Sequence, residues 1–236
     1  MTLNFVYPND NNKITYGQDR STTEVNKFLQ NIFSVPIYSV NIRDKVDIDL
    51  FVKKVKELPM KEFKSNQHIK DRYVSTFEDK TPLLDRDFCV DLKKEINNHI
   101  EQLSSYLRIK TPELANSWAN IINKDYFIGA HAHHGSIFSG AFYPNSTDES
   151  ASLVFNNPFN SIENEYAYKD LPRLWEKFHG IKPETGLLIL FPSYLNHLTG
   201  KNNMDNRITV SFNTIYHSIV SNKWEFYAKT VKGVNA

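Results

Sequence analysis

The sequence predicts an α+β protein in which helices come first and a β domain of sandwich or barrel type follows. Two observations in the chain carry that expectation. Helical periodicity is confined to residues before about 110. Beyond it come short β-branched and aromatic runs separated by turn residues, at the spacing of an all-β unit. The composition agrees. Of 236 residues, 40% are apolar and 13% aromatic, which excludes a disordered chain and suffices for a large core without disulfides.

Residues 1–30 are polar, without sustained period, and read as a loosely attached arm. Residues 31–236 read as one domain, with helical support over 45–110 and a β core over 115–220. Ile32 to Ile42 reads as a strand. Asp47 to Leu58 follows as a helix, with Phe51, Val52, Val55 and Leu58 at helical spacing. Residues 59–85 are polar and irregular. From Asp87 to Leu107, Val90, Leu92, Ile96, Ile100, Leu103 and Leu107 make the apolar stripe of a second helix. The expected strands are Ser117 to Ile122, Tyr126 to His133, Ile137 to Tyr143, Ala151 to Phe155, Leu187 to Phe191 and Arg207 to Tyr216. Asn156 to Pro183 is irregular and aromatic, the texture of a lid.

Lys plus Arg number 28 and Asp plus Glu 27, so bulk electrostatics gives no nucleic-acid signal. Cys89 is the only cysteine, which excludes an internal disulfide and a thiolate metal cluster and fits a reducing compartment. The N-terminal residues lack a basic stretch followed by an apolar one, and Gly186 to Pro192 is too short to span a bilayer. The expectation is a cytoplasmic protein without membrane attachment.

There is no GxGxxG, no P-loop and no GxSxG. The candidate site is a set of histidines. In the run HAHH, His131 and His133 are two apart, which on a strand puts both on one face toward one metal ion, with His134 on the other. Residues alone also allow two surface histidines and a turn. The natural third ligand is His197, just past the turn that ends the run Leu187 to Phe191. In RITVSFN, Ile208, Val210 and Phe212 share one strand face, and Arg207, Thr209, Ser211 and Asn213 share the other. An arginine with a hydroxyl two residues on suits a ligand carboxylate if that face lines an interior.

Together these residues resemble the Fe(II)/2-oxoglutarate-dependent oxygenases, whose HxD/E…H triad is followed about ten residues later by an arginine, often as RxS. Here Arg207 stands ten residues after His197, with Thr209 in the place of the serine. The resemblance is closest to a family of 2-oxoglutarate/iron oxygenases of bacteria and phages related to prolyl hydroxylases. It is carried by Ile32-Phe33-Ser34-Val35-Pro36, HAHHGSIFSGAFY (His131 to Tyr143), FPSYLNH (Phe191 to His197) and Arg207 to Asn213, and covers roughly residues 30–217. It implies a double-stranded β-helix (jelly-roll, cupin-like) core covered by the N-terminal helices.

It also implies Fe(II) on His131, His133 and His197, and 2-oxoglutarate held by Arg207 and Thr209. Decarboxylation of 2-oxoglutarate with O2 would drive oxidation of a substrate C–H bond, a hydroxylase chemistry. Ser139 and Tyr143 would contact 2-oxoglutarate or orient ligands, with Asn123, Ser211 and Asn213 as weaker supporting residues. The departure is His133, which replaces the usual carboxylate and leaves the site one unit more positive. His133 is not the small residue that halogenases of this class use. The substrate would be a small molecule or a peptide. Two other readings stay open: a cupin-like three-histidine metalloprotein without 2-oxoglutarate, in which Arg207 has no task, and a non-enzymatic β-sandwich binding module that uses the aromatic segment 156–178 as a contact surface.

Overall fold

A strand that is apolar on both faces must be covered on both sides, and the run Leu187–Pro192 is of that kind. In the computed structural model the described residues are 6–8, 14–16, 35–64, 72–159 and 177–216. Within residues 1–34, β1 (Val6–Pro8) and β2 (Ile14–Tyr16) form an antiparallel hairpin. From Val35 on come β3 (Tyr38–Asn41), α1 (Ile48–Lys56), β4 (Lys61–Lys64), β5 (Arg72–Ser75) and α2 (Val90–Leu107). Then follow β6 (Glu113–Ile122), β7 (Ile128–His131), β8 (Phe138–Tyr143), β9 (Leu153–Asn156), β10 (Phe178–Ile181), β11 (Leu187–Pro192), β12 (His197–Thr199) and β13 (Arg207–Ile215).

The strands make a seven-stranded sheet, β3-β11-β8-β13-β6-β5-β4, and a four-stranded sheet, β10-β9-β12-β7. The large sheet divides two apolar clusters. On its outer face Phe138, Phe142, Leu188, Leu190, Ile208, Val210 and Phe212 pack with Phe51 and Val55 of α1 and Leu92, Ile96 and Ile100 of α2. On its inner face Ala141, Tyr143, Leu187, Ile189 and Phe191 pack with Leu153 and Phe155 of β9 in the small sheet. Strict alternation along β8, β11 and β13 makes this double use possible. The result is the expected jelly-roll core with helices over one face. Gly140 lets the outer layer close: a Cβ there would stand 2.1 Å from the Phe212 ring.

The helices form where the apolar spacing places them, with shifted ends. Asp47 is the N-cap of α1, its carboxylate accepting the Leu50 N–H at 3.0 Å, so the helix proper starts at Ile48. The second helix begins at Val90, after a short 3-10 turn over Asp87–Cys89, and ends at Arg108 in the left-handed region (φ 56°). The strand expected from Ile32 is regular only from Tyr38, past Pro36, which has no N–H to offer a ladder. Residues 32–34 lie outside the described set, as do 160–176 of the expected lid.

Three segments expected to be irregular or unpatterned contain strands. The hairpin of β1 and β2 lies in the expected arm, β4 and β5 lie in the expected irregular stretch 59–85, and β10 lies in 156–183. All are three or four residues long, too short to display a period of two. The strand expected over Tyr126 to His133 is shorter and ends at His131.

Candidate active site

Ladder register brings the histidines together. β12 pairs with β7 so that His197 lies directly opposite His131. The ring centroids of this pair are 4.4 Å apart, those of His131 and His133 5.1 Å, and those of His133 and His197 5.2 Å. One nitrogen from each ring lies within 4.8 Å of the others, so the three can hold a metal ion. His134 is exposed and outside this group.

His133 reaches the group by a route other than strand alternation, since β7 has already ended. Its N–H donates to the Ser193 carbonyl at 2.9 Å, and the Ser193 N–H donates to the Ile137 carbonyl at 3.1 Å, so the turn after β11 clamps the HAHH loop. The side chains beside the rings fix them further. Nδ1 of His131 is 2.8 Å from the Gly129 carbonyl and Nδ1 of His197 2.9 Å from the Leu195 carbonyl. A proton on Nδ1 makes these bonds and leaves Nε2 with its lone pair for a metal. Phe191 and Phe155 flank the His197 ring at 4.8 and 6.1 Å. Trp118 stands 5.8 Å from the His133 ring, with Phe77 edge-on to the indole at 5.0 Å.

Burial keeps the His133 and His197 rings neutral. His197 is pushed down to about 3 by burial and by the His131 charge, with the bond to Leu195 opposing. His133 lies well below the usual histidine range through burial and then the neighbouring histidines. Neutral imidazoles are the form that ligates metals.

The second half of the site starts at the first residue of β13. Arg207 is 1% exposed and Thr209 7%, both on the inner face. One guanidinium nitrogen, Nη2, donates to the Ala151 carbonyl at 3.2 Å, while Nε, Nη1 and the Thr209 hydroxyl are buried without a partner. The Tyr143 ring lies over the guanidinium at 5.1 Å. A buried cation with two idle donors is costly by itself, and an anion accepting from the arginine fork and the threonine hydroxyl removes that cost. Burial lowers the Arg207 pKa, an effect that Tyr143 opposes, and raises that of Tyr143, which Arg207 opposes. Asparagines hold this strand start in place: Asn123 Oδ1 accepts the N–H of Asn206, whose φ is 55°, at 3.0 Å, and Asn145 Oδ1 accepts the Ile208 N–H at 2.8 Å.

Tyr143 sits against Arg207. Ser139 Oγ donates to Asn213 Oδ1 at 2.7 Å and accepts from the Ser193 hydroxyl at 2.9 Å, a buried network behind the His133 loop. Ser211 is opposite Trp118 in the ladder. Asn123 braces the Arg207 turn and is not among the histidines. The residue reading missed Trp118, Ser193, Asn145 and Asn202. Asn202 is fully buried and donates to the Ile122, Asn123 and Met204 carbonyls. Alternation within the expected strand Ser117 to Ile122 was a signal for Trp118. The others act from loops, where no periodic pattern marks them.

Residues 116–213 match the model of the family described as "Putative 2OG-Fe(II) oxygenase". No curated protein matches by sequence. Among solved structures the chain is similar to an oxidoreductase of the 2OG-Fe(II) oxygenase family from Burkholderia pseudomallei, with TM-score 0.54, 10% identity, and 76% of this chain and 85% of that one covered. It is similar to a Pseudomonas putida prolyl-4-hydroxylase, with TM-score 0.52, 9% identity, and 77% and 94% covered. A third is SnoK, a non-heme α-ketoglutarate-dependent carbocyclase from nogalamycin biosynthesis, with TM-score 0.55, 10% identity, and 77% and 80% covered. The β domain, which carries the three histidines and Arg207, is similar in sequence to that family's model over residues 116–213 and in fold to these solved oxygenases.

Proposed function

We propose that the protein is an Fe(II)- and 2-oxoglutarate-dependent dioxygenase that hydroxylates a small-molecule or peptide substrate. The observation that carries the reading is the pairing of a three-histidine cluster with a buried, under-partnered Arg207 on the same inner face. His131 and His197 would hold the iron through Nε2, and His133 through one of its ring nitrogens. Arg207 and Thr209 would receive the far carboxylate of 2-oxoglutarate, and Tyr143 would cover the guanidinium from water. Bound iron with 2-oxoglutarate supplies O2 activation coupled to decarboxylation. The protein's own part is placement: Ser193 and the ladder between β7 and β12 set the ligand rings, and Asn123 and Asn145 set the arginine.

The cupin-like alternative leaves the two idle guanidinium nitrogens without a task, which places it second. Among the described residues no helix is long and apolar enough to cross a membrane. The proposal is tested by supplying Fe(II), ascorbate, O2 and 2-oxoglutarate and measuring succinate, then screening metabolite and peptide extracts. Succinate release coupled to a substrate gaining one oxygen atom is the expected result. Metal uptake without any 2-oxoglutarate consumption across such a screen contradicts it.

A further inference from the structure

The inner face of the β6–β13 ladder reads as a sequence of levels. Arg207 is opposite Ile122, Thr209 opposite Asn120, Ser211 opposite Trp118, and Asn213 opposite Asn116. Successive levels are two residues, or about 6.8 Å, apart. The first two carry Arg207 and Thr209 with their idle donors. The third carries Trp118, whose ring stands against His133 and so marks the level of the histidines. The fourth, Asn116 and Asn213, lies on the opposite side of that level from Arg207.

This fourth level has idle hydrogen-bonding capacity of its own. The Asn116 Oδ1 atom is buried and accepts no hydrogen bond. The Ser136 hydroxyl, three residues past His133, is buried and likewise without a partner. Ile137, next to it, donates its N–H to Thr214 of β13, which ties this loop to the same end of the ladder. Asn213 is held from behind by Ser139, so the level is braced. The eight residues of these four levels carry one formal charge, Arg207, three levels away from Asn116. Buried acceptors without donors are rare in folded proteins. An idle acceptor one level beyond the indole that faces His133 fits a ligand that donates there.

We infer that Asn116, with Trp118 as its apolar wall, forms the substrate subsite, and that it selects a neutral group donating a hydrogen bond, an amide N–H or a hydroxyl, over a carboxylate or a group without donors. The inference rests on the oxygenase reading and names its substrate chemistry. Asn116 takes the donor, Trp118 packs against the apolar body beside it, and Ser136 is placed for a second polar contact.

The test uses the full chain loaded with Co(II) and saturated with 2-oxoglutarate. Two probes differ in one donor: N-methylacetamide has an N–H, and N,N-dimethylacetamide has none and is the more apolar. Paramagnetic relaxation of their methyl protons by Co(II) reports occupancy near the metal. Since one hydrogen bond is worth about a fivefold preference, N-methylacetamide should show about fivefold greater occupancy in the wild type. The preference should vanish in Asn116→Leu and persist in Asn116→Asp, which keeps an acceptor. Cobalt uptake and 2-oxoglutarate binding, read from the visible Co(II) bands, should be the same in all three. Equal occupancy of the two probes in a loaded wild type overturns the subsite, as does a preference that survives Asn116→Leu or is lost in Asn116→Asp. A wild type that takes up no Co(II), or no 2-oxoglutarate, overturns the oxygenase reading and this inference with it.

Discussion

Replacing Arg207 by methionine separates what the guanidinium does for the ligand from what it does for the fold. In the free protein the guanidinium is 1% exposed, with Nη2 on the Ala151 carbonyl and Nε and Nη1 idle. Methionine fills a similar volume without burying a charge, so the ligand-free variant should melt at or above the wild-type temperature. Ligand binding should collapse. A hydrogen bond to a charged group contributes about 1.5–3 kcal/mol, so losing two of them raises the Kd for 2-oxoglutarate more than about a hundredfold. Wild type at a hundred times its Kd gains about 2.7 kcal/mol, which for a chain of this length is about 5–10 °C in Tm. Thermal melts of the Mn(II)-loaded protein with and without 2-oxoglutarate measure both effects. Arg207→Lys keeps the charge but loses the fork, and should fall between the two. A methionine variant that still gains several degrees from 2-oxoglutarate refutes the assignment. One that unfolds without ligand shows that the guanidinium is a structural group instead.

Other consequences can be checked separately. Gly140→Ala puts a methyl group 2.1 Å from the Phe212 ring and should cost about 1–3 kcal/mol in urea unfolding, partly restored by a second change, Phe212→Leu; an unchanged midpoint contradicts the packing described. His134→Ala should retain metal and His197→Ala should lose it with circular dichroism unchanged, because His134 lies outside the cluster; the reverse pattern would mean that the HAHH loop presents a different ring. Burial pushes the Cys89 thiol up to about 12, against the pull of Arg86. At pH 8 the native protein then holds about one thiolate in ten thousand, against about a quarter for an ordinary thiol. Ellman's reagent should label Cys89 at the rate of unfolding, and immediate labelling would contradict its burial.

The parts of this molecule that were legible in its sequence are those in which one physical rule acts alone. The stripe from Leu92 to Leu103 is a helix face turned to a core, and it forms a helix. The alternation from Arg207 to Asn213 separates an apolar face from a polar one, and both faces are where alternation puts them. His131 and His197 are adjacent, but the reason, a ladder between two strands of three and four residues, leaves almost no periodic trace. His133 joined the cluster in the reading by strand alternation and joins it in the structure by a backbone bond from a loop to Ser193. The fine positioning was not legible, because Asn123, Asn145, Asn202 and Ser193 act through bonds to backbone groups far away in the chain. Such partners are set by the tertiary fold, and no local propensity announces them.

The most direct test of the account is an anaerobic titration of metal-free protein, first with Fe(II) and then with 2-oxoglutarate, recording the visible spectrum. Wild type should develop the charge-transfer band of a chelated 2-oxo acid, His197→Ala should bind no iron, and Arg207→Met should bind iron but need far more 2-oxoglutarate to give the band. Iron binding with no band at any 2-oxoglutarate concentration in the wild type would contradict the account and leave a three-histidine metal site of another chemistry.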